Sequence, residues 1–197
     1  MALSVAVSGC AVKSAAQWDR QPVAAVLPSA GPVYVMEPLV VGTASPGNIG
    51  RDFPAIKAQV TGRLLSIVQE RFPRAQVADS RPTPIAVESP AYQFATGERY
   101  ITAEETNAAS DARRRGATHL LVPAITEWTE MRTDDPIGAF ILPHNRITLV
   151  LRLMRLDPPS LAGRVTFSNR ASLTLNQKAA GLMNDRFRQS VLRLLAG

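Results

Sequence analysis

Residues 164–175 hold the pattern that most restricts how this chain can fold. Val165, Phe167, Ala171, Leu173 and Leu175 alternate with Thr166, Ser168, Arg170, Ser172 and Thr174. Successive side chains of a strand point to opposite sides, so a period of two predicts a strand with one buried and one wet face. Two segments before it read the same way. Residues 146–156 place Ile147, Leu149, Leu151 and Leu153 on one face, and residues 118–131 carry Leu120, Leu121 and Val122, then Ile125 and Trp128. Three such segments in succession predict an antiparallel meander with helices on its apolar face.

The helices are legible too. In residues 52–72, Ile56, Val60, Leu64 and Ile67 recur at helical spacing, widened by Leu65 and Val68. Asp52 is placed to cap the start, Pro54 is tolerated in the first turn, and Pro73 ends the segment. A second helix is expected over 102–115. Thr102 and Glu105 have capping-box spacing, Gly116 stands where a residue with positive φ closes a helix, and Ala108, Ala109 and Ala112 make a small-residue face. Arg113, Arg114 and Arg115 fall in its last turn, where the helix dipole favours cations. A closing helix over 179–195 buries Met183, Phe187, Val191 and Leu194. Residues 33–41 read as a first strand, pushed toward an edge or a short length by Pro38, and Gln76–Ala78 as a brief one. The expected fold is α/β: a single mixed sheet with a C-terminal antiparallel meander and helices packed on it, in the order β-α-β-α-β-β-β-α.

At 197 residues, 46% hydrophobic and 19% charged, the chain has the composition of one globular domain with tails. Twenty-two Lys and Arg against sixteen Asp and Glu give +6, which favours anionic partners. The basic residues are dispersed, with no run longer than Arg113–Arg115, so no specific nucleic-acid partner is expected.

The N-terminus departs from ordinary composition. Residues 1–9 are small and apolar and end at the only cysteine, Cys10. Val7-Ser8-Gly9-Cys10 resembles the lipobox of bacterial lipoproteins. The resemblance implies acylation of the Cys10 thiol, cleavage of 1–9 as a signal-peptide-like leader, and attachment to the membrane through the lipid. Ala11 after the cysteine implies the outer membrane, facing the periplasm. Residues 10–32, rich in Ala, Ser, Gln and Pro, then read as the lipidated cysteine and a flexible tether, with the domain in 33–197. Residues 118–130, T-H-L-L-V-P-A-I-T-E-W-T-E after a helix ending in Gly116, are similar to a family of uncharacterised bacterial lipoproteins. More loosely, the element order resembles lipoproteins of the curli-secretion, exopolysaccharide-export and penicillin-binding-protein-activator type. That likeness implies a non-enzymatic protein-interaction or assembly component of the cell envelope, working with another envelope protein or with copies of itself.

Chemistry is sparse. His119 and His144 have no second ligand at i+3 or i+4, no phosphate-binding glycine motif or serine elbow occurs, and neither a metal, a cofactor nor a catalytic residue is expected. His119, at the start of a strand, reads as a packed histidine. Two other readings remain open: a basic module for anionic polymer, whether cell wall or nucleic acid, and a carboxylate-based hydrolase with Glu127, Glu130, Asp134 and His144 around a cleft. One connection stands out. Residues 136–144 (PIGAFILPH) put Ile137, Phe140, Ile141 and Leu142 between two strands, where tips are normally polar. Bulky apolar residues there predict an interaction element.

Overall fold

The computed structural model describes residues 13–18, 31–40, 53–81, 102–129, 145–170 and 179–196. Strands β1 (Lys13–Trp18), β2 (Val33–Met36) and β3 (Leu39–Val40) precede helix α1 (Phe53–Gln69). Strand β4 (Gln76–Ala78), helix α2 (Ala103–Arg114) and strands β5 (His119–Thr129), β6 (Arg146–Leu156) and β7 (Pro159–Arg170) follow. The described chain closes with a 3-10 turn (Ala179–Leu182) and helix α3 (Asp185–Leu194). One mixed sheet runs in the order β1-β7-β6-β5-β2-β4, with β3 also paired to β5. Strands β2, β4 and β5 are parallel, and β5, β6, β7 and β1 are antiparallel. The expected α/β class, mixed sheet and meander are all present.

The helices lie on both faces rather than one. Val33, Val35, Leu121, Leu149, Leu151 and Phe167 pack with α1 and α3 in one core. Their neighbours Tyr34, Met36, Leu120, Val122 and Met154 pack with Ala108, Ala109 and Ala112 of α2 in another. Connectivity explains this. The crossover from β2 through α1 moves outward to β4, and the crossover from β4 through α2 returns past β2 to β5. Right-handed crossovers running in opposite directions put their helices on opposite faces. The middle strands are therefore buried twice over, and Leu120-Leu121-Val122 is a continuous apolar run for that reason.

The other departures have local causes. The expected strand over 33–41 breaks at Glu37-Pro38, and β2 is an interior strand, not an edge. Strand β7 starts at Pro159, five residues before the expected start; Gly163 leaves room there for Leu194, whose Cδ1 would lie 2.8 Å from an added Cβ. A register irregularity between Leu153 and Met154 accommodates this approach. The closing helix begins six residues late because Asn184 caps it, its Oδ1 accepting from the N–H groups of Arg186 and Phe187 at 3.1 and 3.4 Å. Strand β1, antiparallel to β7, falls in the stretch read as a tether. Positions 1–9, Cys10, Asp52, 130–144, Ala171, Leu173 and Leu175 lie outside the described residues.

Candidate interaction surface

Helix α2 packs against β2, β4 and β5 and reaches β6 only at Arg152, Met154 and Leu156, which leaves residues 146–150 of β6 and the facing part of β7 without a helix among the described residues. The strands present alternate side chains there: Thr148 and Val150 from β6, and Arg164, Thr166 and Ser168 from β7, all half-buried. Of these, Thr166 and Ser168 belong to the wet face that the period-two pattern predicts for β7. The structure adds that this face is joined laterally. Arg146 Nη1 donates to Glu127 Oε1 at 2.9 Å, and Thr148 Oγ1 donates to Glu127 Oε2 at 3.0 Å. The Thr148 and Ser168 hydroxyls share a hydrogen bond of 3.1 Å. Glu127 reaches this ladder because the register shifts between Ile125 and Glu127, which lets both Ile125 and Trp128 point into the α1–α3 core.

Above the ladder stands a register row. Thr129 pairs with Arg146, Arg146 with Arg170, and Arg170 with Lys13. Arg146 and Arg170 are exposed. This is the end of the sheet from which the chain leaves for 130–144 and for 171–178.

On the parallel half, the carboxyl ends of β2 and β4 open on a cavity of about 360 Å³ lined by Glu37, Val77, Ala78, Asp79, Ser80 and Arg81. Strands whose helices depart to opposite faces create a crevice of this kind. Its main charges neutralise each other: Arg81 Nη2 lies 2.7 Å from Asp79 Oδ2, and its hydrogen bonds hold the Asp79 carboxyl down at about 2. No nucleophile–base pair is formed by these residues, and among the described residues no group of three metal-ligating side chains comes together.

Two buried polar groups complete the picture. Glu105 accepts through its carboxylate from Arg152 of β6, both side chains being buried. It is also the capping-box residue expected from sequence: the Glu105 N–H donates to Thr102 Oγ1 at 3.3 Å, and the carboxylate meets the Thr102 backbone. Burial raises the Glu105 carboxyl above the usual carboxylate range, partly opposed by Arg152. His119 is buried at the amino end of β5, its Nδ1 3.0 Å from Thr118 Oγ1. Burial first, and Arg155 second, push its imidazole down to about 4.

Of the residues singled out in the sequence, Cys10, Glu130, Asp134, Ile137, Phe140, Ile141, Leu142 and His144 lie outside the described residues. Glu127 is described, and it serves the cross-strand ladder. His119 is packed, as expected. The Glu105–Arg152 pair was not anticipated; its one signal is Arg152 standing amid the leucines of LRLMRL. The arginine run closing α2 does more than meet a dipole. Arg113 Nε donates to Leu156 O at 2.8 Å, and Arg115 bonds Val77 O and Asp111 while its guanidinium lies 4.7 Å from the Tyr34 ring centroid.

No family model and no curated protein matches the sequence. Solved structures do match in shape. The PelC dodecamer from Paraburkholderia phytofirmans superposes with a TM-score of 0.55 at 10% identity, over 93% of this chain and 96% of that one. The chain is similar in fold to PelC. A variant of the same PelC dodecamer gives 0.56 at 11% identity, over 94% and 100%. A lipoprotein from Neisseria meningitidis is a more distant match, with a TM-score of 0.44 at 14% identity over 83% and 99%. The PelC superpositions show a shared fold across nearly the whole of each chain.

Proposed function

We propose that this chain is a non-enzymatic, lipid-anchored component of the bacterial cell envelope, held at the outer membrane through Cys10 and facing the periplasm. Its α/β domain works by binding copies of itself or another envelope protein. The observation that carries this reading is the fold shared with PelC, a protein crystallised as a dodecamer. The lipobox-like residues before Cys10 support the anchor. In this reading Ile137, Phe140, Ile141 and Leu142 form the contact element of the domain.

The test is the molar mass of the purified chain by light scattering. The expected result is a discrete multiple of the 21.2 kDa chain. A strict monomer up to high micromolar concentration would remove self-association. A folded Phe140→Asp variant that keeps every oligomer and membrane contact would remove the apolar element. The anchor is tested by incorporation of a fatty-acid analogue into the full chain, which Cys10→Ala should abolish.

The two other readings have less support. Arg81, Arg115, Arg146, Arg152 and Arg188 each have a carboxylate partner within the domain, which weakens the case for a general polyanion surface. Glu127, the described member of the hydrolase set, is engaged by Arg146 and Thr148.

A further inference from the structure

We infer that the end of the sheet carrying Lys13, Arg170 and Arg146 is a docking surface for an anionic bilayer. The inference rests on the lipid-anchor reading given above, and it assigns the domain an orientation that the anchor alone does not.

Three observations converge. The first is chain length. Ala11 and Val12 are the only residues between Cys10 and Lys13, and three extended residues span roughly 10 Å at most. Because Lys13 is paired with Arg170 in the sheet, a lipid on Cys10 cannot hang from a long tether. It holds this end of β7 within about 1 nm of the membrane, close to the Debye length at which head-group charge is still felt.

The second is charge. Lys13, Arg170 and Arg146 occupy one register row across three neighbouring strands, with strand spacing near 5 Å. Glu127 offsets part of that charge through Arg146, and Arg170 beside it is exposed. The row therefore keeps a positive excess on the side nearest the anchor.

The third is shape. Val40 pairs with Ile125, whereas β5 continues to Thr129. Among the described residues, β5 thus runs roughly 10 Å past the end of β3, at ~3.3 Å per residue. Among the described residues, β2 and β4, which lead into Glu37 and Asp79, end short of the register row of Arg146 and Arg170.

The experiment is co-sedimentation of the chain, lacking any natural acyl group, with vesicles of phosphatidylcholine alone or with phosphatidylglycerol. The expected result is partitioning onto the anionic vesicles, weakened by salt. Arg146→Gln with Arg170→Gln should lower it roughly 25-fold, at about fivefold per charge. Arg146→Lys with Arg170→Lys should preserve it. Arg71→Gln with Arg74→Gln, exposed beyond α1 at the opposite end of the sheet, should leave it unchanged. Circular dichroism confirms that each variant is folded.

No partitioning at low salt, or equal losses from the two Gln pairs, would overturn the inference. Equally tight, row-dependent binding to a soluble anionic polysaccharide would overturn it in favour of polymer recognition. Fatty-acid labelling is read separately. Acylation without row-dependent binding sinks the docking surface and leaves the anchor; row-dependent binding without acylation sinks the anchor and leaves the surface.

Discussion

His119 and the Glu105–Arg152 pair show what single residues contribute here. His119 is held neutral by burial, with its imidazole near 4 against 6.5 when free. Between those values the unfolded chain binds a proton that the folded chain refuses. Stability therefore rises with pH through this window and is lost as pH falls from 6.5 toward 4. At pH 5 the loss relative to pH 7 is roughly 2 kcal/mol. Urea midpoints at the two pH values should differ less for His119→Gln than for the native chain. Comparing variant with native isolates this group from the carboxylates. Glu105 and Arg152 act by a different logic. Removing one partner takes away the other's buried counter-charge, so Glu105→Ala or Arg152→Ala should cost about 3–5 kcal/mol. Glu105→Leu combined with Arg152→Met should cost less than either, because neither charge then remains. A double variant as unstable as the worse single one would show that another bond to these groups dominates.

Element boundaries follow from a few positions with special backbone demands. Gly116 has φ +77° at the end of α2, and an added Cβ would meet nothing within 4 Å. Gly116→Ala should therefore cost about 1 kcal/mol from backbone strain alone, and Gly116→Asn less, measured as a shift in denaturant midpoint. That glycine was legible, as were the stripe of α1 and the core face of β6, because each is written in local spacing. Ile147, Leu149, Leu151 and Leu153 are all buried as their alternation required. What could not be read depends on partners distant in sequence. Lys13–Trp18 has no apolar alternation, and it is a strand because the exposed edge of β7 supplies hydrogen-bond partners. Asn169 sits where β7 should be apolar; it is buried because its Nδ2 donates to Leu182 O at 2.7 Å, tying the strand to the turn before α3. The cross-strand ladder was half visible: Ser168 is on the wet face that the alternation predicts, but its link through Thr148 to Glu127 depends on an irregularity no local pattern announces.

At the scale of the molecule, the two faces of the sheet are held by different forces. The α1–α3 side buries Ile56, Val60, Leu64, Ile67, Phe187 and Val191, with Phe167 and Phe187 in edge-to-face contact at 5.0 Å. The α2 side offers Ala108, Ala109 and Ala112, one methyl each, so burial of that helix contributes much less. Its attachment leans instead on polar bonds: Glu105 to Arg152, Arg113 to Leu156 O, and Arg115 to Val77 O. Each such bond has a net worth near 1 kcal/mol, more where the group is charged, and far below the burial of several large side chains. Helix α2 should therefore open locally without global unfolding. In native-state hydrogen exchange, the amides of Ala108–Ala112 should exchange with a smaller opening free energy than those of Leu64–Val68 and Leu149–Leu153. Arg113→Gln should widen the gap by accelerating α2 and leaving α1 unchanged. If α2 instead exchanges only with global unfolding, alongside α1 and β6, its polar attachment would be as strong as a packed apolar face. The two-sided sheet would then be one cooperative unit, and the alanine face would need another source of stability.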